Sequence, residues 1–418
     1  MIASHSAQAL AAPAPGLTIS AERLRCLLLW LTGASGAIVF IEPSPYEAAS
    51  FLAIVAFLFG GLVLRPALLP LAILLILSNI GYSISASALF AEQGVLVWVL
   101  TSWYLAATAL FFAAMLGANT EARLAALTRG CLIAGLVASL AAVIGYSRIF
   151  SGANEMLLLY ERARGTFKDP NVLGAFLVLP TLLALQRVIS GNLRRAAGGA
   201  VLLALFAAAI LLTFSRAAWG QAVFASLIVL LLTLITTNSP AQRLRVVLLG
   251  VAGVAALAAF VTALLSIDAV AELFKQRASL QQSYDVGEQG RFGRHILGAI
   301  LALDAPFGIG PLQFSRYFPE DPHNSYLNAF MSGGWLSGAC YPTLIGLTVV
   351  FGLRATLVAT PWQPTMIVVY AGYVGVAAES VVIDSDHWRH GYLLLGVLWG
   401  LIAATFSHGA RRSGRRGP

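Results

Sequence analysis

VVLLGVAGVAALAAFVTALLS, residues 246–266, runs for 21 residues without a charged side chain. A helix needs about 20 such residues to cross a bilayer. A backbone in hydrocarbon must also satisfy its own N–H and C=O groups, which a helix does. Similar stretches recur on either side of this one. The pattern predicts spans at 25–41, 48–64, 67–86, 94–116, 124–146, 171–187, 197–213, 217–237, 246–266, 326–353, 364–383 and 390–408. Across 418 residues the chain is 59% hydrophobic and 11% charged, with a mean hydropathy of +0.82. Soluble domains carry roughly 25% charged residues. A soluble globule could not cover its surface with so little charge, and a disordered chain would hold far fewer apolar residues. The expected fold is therefore all-α: a polytopic transmembrane helix bundle of about twelve spans with a helical loop on its outer side.

Charge sets the orientation. With both termini inside, the inner segments hold 15 of the 26 basic residues and two acids, Glu22 and Glu121, a net of +13. The outer segments hold eleven bases and sixteen acids, a net of −5. The positive-inside rule selects this arrangement. The sequence pI of 9.7 then reflects topology, and no nucleic-acid partner is implied. Residues 1–20, rich in Ala, Ser and Pro, read as a short cytoplasmic tail, since no apolar run of a cleavable leader precedes Arg23. Cys26, Cys131 and Cys340 all fall in apolar segments. An odd count there points to small core residues instead of a disulfide framework.

Three hydrophilic excursions face outside: 147–170, 267–325 and 379–390. In the large loop, Ala269–Ser283 predicts a helix with Val270, Leu273, Phe274 and Leu280 near one face. Arg291–Leu303 predicts a second, with Phe292, Ile296, Ile300 and Leu303 on one side. Pro306, Gly308, Gly310 and Pro311 then break the chain. Such apolar periodicity requires a surface, so the loop is expected to cap the outer end of the bundle.

The outer bases are grouped. Arg162, Arg164 and Lys168 precede the 171–187 span, Arg216 lies between two apolar runs, and Arg291 and Arg294 sit in the large loop. Guanidinium forks match phosphate oxygens, so the group reads either as an anion site or as partners of the outer carboxylates. His323, at the mouth of the 326–353 span, is placed to take a hydroxyl proton or to pin the loop. Gly333 and Gly334 follow, allowing close helix packing or a break. Glu379, Asp384, Asp386, His387, Arg389 and His390 form a last outer cluster, open to a metal, a substrate-contacting or a self-paired reading.

Four stretches in this order resemble the O-antigen ligase/polymerase family of bacterial inner-membrane glycosyltransferases. They are RGTFKDPNVLG (164–174), TFSR (213–216), Gly290-Arg291 leading to PFGIGP (306–311), and HNSYL (323–327) with Gly334. The resemblance covers about 160–350. Where the ligase signature ends in Gly, Thr or Tyr, this chain has Ser337. It divides the chain into N-terminal helices (1–160), a ligase-like core (161–355) and C-terminal helices with a basic tail (356–418).

The resemblance implies a GT-C-like enzyme of lipopolysaccharide or exopolysaccharide biosynthesis in the bacterial inner membrane, active on its periplasmic face. Its donor would be a glycan on undecaprenyl diphosphate, among the membrane lipids. Its acceptor would be a sugar hydroxyl on lipid A–core for a ligase, or on another lipid-linked glycan for a polymerase. It implies no metal, no nucleotide sugar and no other cofactor. His323 would be the base, Arg164, Arg216 and Arg291 would grip the diphosphate, and Asn324 and Asp169 would support them. Asn171 is equally suited to capping the helix it opens. A transporter is the alternative from another class, but transporters keep their charges near mid-membrane, whereas here they gather at the outer face.

Overall fold

The computed structural model describes residues 20–62, 64–147, 150, 152–266, 271–272, 274–275, 287 and 290–414. The expected tail at 1–19 and most of the expected helix at 269–283 lie outside these residues. The described residues form fourteen α-helices and one two-residue-per-strand hairpin. The helices are α1 Ala21–Ser35, α2 Pro45–Leu58, α3 Leu69–Ala86, α4 Val95–Met115, α5 Thr120–Ser147, α6 Ala153–Leu157 and α7 Pro170–Ser190. They continue with α8 Leu193–Leu212, α9 Arg216–Thr236, α10 Pro240–Leu265, α11 Arg291–Asp304, α12 Ser325–Thr356, α13 Gln363–Glu379 and α14 Arg389–Gly414. The hairpin pairs β1 (Leu158–Leu159) with β2 (Arg162–Ala163).

Each of the twelve expected spans holds a helix, and nine are long and apolar enough to cross a membrane. The protein is an all-α, multi-pass membrane bundle. Three helices fall short of that length: α1 with 15 residues, α2 with 14 and α13 with 17. The apolar run after α1 leaves the helix because its backbone is used elsewhere. Val39 N–H donates to Thr166 O (3.1 Å), and Thr166 Oγ1 donates to Ala37 O.

The bundle closes through small residues, as expected where lipid removes the hydrophobic drive between helices. A Cβ on Gly33 would lie 2.5 Å from Leu127 O, and one on Gly130 2.2 Å from Trp30 O, so α1 and α5 touch backbone to backbone. Gly396 and Gly400 bring α14 equally close to Ala109 and Ala113 of α4. Leu29, Phe112, Phe206, Leu182 and Trp399 fill the core between these pairs. Cys131 and Cys340 are buried free thiols and Cys26 a half-buried one. By contrast α10 is almost wholly turned outward.

The segment Pro306–Pro311 breaks as expected, and it is built into α12. At Gly334 the helix backbone takes φ 65°, ψ −163°, a region open essentially to glycine alone. The opened backbone groups are met by the incoming loop. Ile309 and Gly310 N–H donate to Met331 O (2.7 and 3.1 Å), and Trp335 N–H donates to Pro306 O (2.9 Å). Gly333 and Ser337 pack on α3, where Ser337 Oγ donates to Ser78 O at 2.6 Å. The departure from the ligase signature at Ser337 is thus a helix-crossing contact.

Candidate functional site

His323 ends the large loop with φ 47°, a conformation few non-glycine residues adopt. One carboxylate holds it there. Asp384 Oδ2 accepts from His323 N–H (3.2 Å) and lies 3.1 Å from His323 Nδ1. Asp384 Oδ1 accepts from Asn324 N–H (3.0 Å). A carboxylate only accepts, so in the neutral ring this contact places the proton on Nδ1 and the lone pair on Nε2. Asn324 is the cap of α12, its Oδ1 accepting from Leu327 N–H at 3.0 Å.

The corner is tied to the C-terminal end of α13 by hydroxyls. Ser325 N–H donates to Ser380 O (2.8 Å), and Ser385 N–H donates to Ser325 Oγ (2.7 Å). Asp386 is buried beside it, accepting from Asn328 Nδ2 (3.0 Å) and lying 2.9 Å from His387 Nδ1. The 379–390 cluster therefore divides. Asp384 serves His323, Asp386 serves His387 and Asn328, and Arg389 pairs with Glu47 and, at 3.8 Å, with Glu42. Lys168 also meets Glu42, at 2.8 Å. Among the described residues no group of three or more His, Cys, Asp or Glu is placed to hold a metal.

The amphipathic helix α11 leans on the same corner. Arg294, buried, pairs with Glu320 (2.7 Å), and His295 Nε2 lies 2.8 Å from Pro322 O. Burial chiefly, with Arg291 and Arg294 adding to it, holds His295 below the ordinary histidine range; Pro322 O and Asp384 oppose the shift. Arg291 stands one turn before His295 on the same helical face. The structure thus brings Arg291 toward the His323–Asp384 pair.

Arg216 begins α9, after a turn in which Phe214 has φ 48° and Ser215 Oγ accepts from Ala218 N–H at 3.4 Å. Five residues on, the Gln221 amide, turned as its neighbours require, donates to Glu379 Oε2 at 2.9 Å. This sets the Arg216 end of α9 beside the end of α13 that leads into Ser380 and Asp384. Arg162 locks the turn in place. Its Nε donates to Thr213 O (2.8 Å) and its Nη2 to Asn171 Oδ1 (2.7 Å).

Two expected residues have local roles. Asp169 caps α7, its Oδ1 accepting from Asn171 N–H at 2.7 Å, while Asn171 receives Arg162. The cap considered for Asn171 therefore belongs to Asp169, because the helix opens at Pro170 and Asn171 lies inside its first turn. Arg164 donates to Met156 O (3.1 Å) and Glu155 O (3.4 Å), closing the end of α6. Between the Arg164–Asn171 loop and residues 387–390 lies a cavity of about 200 Å³, walled by Phe167, Phe176, Leu179 and Leu393.

Sequence reading missed Asp384 as the partner of His323, and it missed His295 and the locking role of Arg162. Asp384 had a signal, as a carboxylate in an outer cluster with no assigned partner. His295 had only its position one turn after Arg291.

These features define a multi-pass membrane protein with a histidine–carboxylate pair and arginines gathered at one end of its bundle. Residues 200–341 match the family model described as O-antigen ligase. The match covers this stretch alone, about a third of the chain, and supports a likeness to the O-antigen ligase family. The match supports a ligase- or polymerase-type function in general terms. The match contains Arg216, Arg291, His323 and Asn324, and stops short of Asp384. A search of curated proteins found no match.

Proposed function

We propose that the protein transfers a glycan from undecaprenyl diphosphate to a sugar hydroxyl at the periplasmic face of the inner membrane, as an O-antigen ligase acting on lipid A–core. The observation that carries this reading is the clasp of Asp384 on His323, which leaves Nε2 as the proton acceptor. In the proposed step, Nε2 takes the acceptor hydroxyl proton as the oxygen attacks the anomeric carbon. The bond to the diphosphate breaks on the opposite side, so the configuration inverts. The imidazolium that forms is stabilised by Asp384, and Arg216 and Arg291 meet the charge growing on the diphosphate, a role a metal could otherwise take. Arg164 and Asp169 would act from the adjoining loop, and Asn324 by holding the corner. The charge split supports placing both termini in the cytoplasm and His323 outside.

A polymerase would use the same site with a lipid-linked glycan as acceptor. The test is purified protein in excess EDTA with a lipid-linked glycan donor and, separately, each acceptor. Transfer to lipid A–core without added metal is expected. Loss of transfer restored by a divalent ion would overturn the metal-free step, and transfer only to lipid-linked glycan would assign a polymerase.

A further inference from the structure

At the other end of the bundle, the ends of four helices surround a cavity of about 210 Å³. α13 runs 17 residues from this end to Glu379, so at about 1.5 Å per residue the cavity lies roughly 25 Å from the His323 corner. Its walls are polar for a membrane protein. Gln186 and Ser190 come from the end of α7, Thr233 and Thr237 from the end of α9, and Gln242 and Gln363 from the starts of α10 and α13. Some of their hydrogen-bonding capacity is used: Thr237 Oγ1 donates to Gln242 Oε1 and Gln363 Nε2 to Thr356 O, both at 2.8 Å. Among the described residues the Gln242 amide N–H groups, Gln363 Oε1, the Gln186 amide and the Ser190 hydroxyl have no protein partner.

Arginines stand around this opening. Arg243 Nε donates to Thr237 O (3.0 Å), and Arg245 Nη2 donates to Val188 O (2.8 Å) and Gly191 O (3.1 Å). Arg187 adjoins Gln186, and Arg129 and Arg195 act on it with like charge. The chain itself offers these cations no carboxylate nearby in sequence, because no Asp or Glu occurs between Asp169 and Asp268. Among the described residues no carboxylate pairs with Arg243 or Arg245, which leaves them open to an outside anion. The first turns of α10 and α13 are largely met from within, since Pro240 and Pro364 carry no N–H while Gln242 and Gln363 N–H donate to Ser239 Oγ and Thr360 O, so the attraction for an anion comes from the arginines. The ends of α7 and α9, with the glutamines, present acceptors that favour hydroxyls. One ligand satisfies both: a phosphate diester carrying a small polyol. Pockets that enclose a drug-sized ligand measure about 300–1,000 Å³, so this one takes a headgroup and leaves acyl chains outside, along the outward face of α10.

We propose that this cavity binds the headgroup of an anionic glycerophospholipid, fastening the start of α10 to α7, α9 and α13. Basic pockets between helices on the cytoplasmic side are suited to such headgroups. The lipid would anchor the one long helix that the protein's own packing hardly holds, and α10 leads into the loop that carries Arg291.

The experiment uses the full chain purified in detergent, with retention followed by native mass spectrometry and stability by thermal melting. Phosphatidylglycerol should be retained and should raise the melting midpoint. Phosphatidylcholine and sn-glycerol 3-phosphate should do neither. Arg243→Gln with Arg245→Gln should weaken phosphatidylglycerol retention by at least about tenfold. Gln242→Leu, which leaves every arginine in place, should lower both retention and stabilisation. Equal retention of phosphatidylcholine, a full shift with glycerol 3-phosphate alone, or unchanged retention in the Gln242→Leu protein would overturn the proposal.

Discussion

Asp384→Asn removes one charge and almost no volume. The carboxylate receives three N–H groups: His323 N–H and Nδ1–H on Oδ2, and Asn324 N–H on Oδ1. An asparagine has one acceptor oxygen, so its amide nitrogen must face a donor. If it faces Asn324, His323 keeps its tautomer but loses a charged partner. A hydrogen bond to a charged group is worth about 1.5–3 kcal/mol. The two side chains are 38% and 27% exposed, which favours the lower half of that range. At about 1.4 kcal/mol per decade, transfer slows roughly 10- to 30-fold. If the nitrogen instead faces His323 Nδ1, the ring must move its proton to Nε2, and the whole general-base factor of about 10²–10⁴ is lost. The assay is transfer from lipid-linked donor by purified protein, with the melting midpoint measured on the same preparation. A fall in kcat with little change in melting is expected. Unchanged transfer at normal stability would refute the reasoning and leave Asp384 as a loop fastener.

Arg216→Lys should sharply reduce transfer at normal protein level, because a point charge cannot reproduce a two-pronged grip on diphosphate oxygens; normal activity would make Arg216 a structural charge. Gly334→Ala should lower stability and membrane abundance. The backbone conformation alone costs an alanine about 1–3 kcal/mol, and its Cβ would lie 2.3 Å from Pro306 O, so a normal melting midpoint would contradict the loop insertion. His295 binds its proton less readily in the folded state than its ordinary value of 6.5. The unfolded chain therefore gains protons first as pH falls below that value, and stability falls with it. His295→Gln should flatten that limb of the melting-versus-pH curve, and an unaltered limb would exclude His295 as its source.

The bundle was legible because its signal is additive. Twenty-one uncharged residues such as 246–266 read as a span wherever they occur, and the helix at Arg291–Asp304 announced itself by period. His323, Arg216 and Arg291 were singled out through local motifs. The partner of His323 was not, because Asp384 is 61 residues away in sequence and nothing local couples them. The cap of α7 was considered for Asn171, whereas Asp169, two residues earlier, makes it. The helix opens at Pro170, which puts Asp169 at the N-cap and Asn171 inside the first turn. The short α1 illustrates the same limit. Val39 is apolar enough for a helix, yet Thr166, 127 positions on, claims its N–H.

The central claim is that His323 Nε2 takes the acceptor proton. The most direct measurement is transfer by purified His323→Gln protein, compared with His323→Ala and the unaltered chain, on preparations of equal melting midpoint. Glutamine can hydrogen-bond to Asp384 and to an acceptor hydroxyl but cannot take up a full proton. A stable His323→Gln protein as inactive as the alanine variant, slowed by about 10²–10⁴-fold, is expected. A His323→Gln protein that transfers at the normal rate would contradict the claim and reduce His323 to orienting the acceptor.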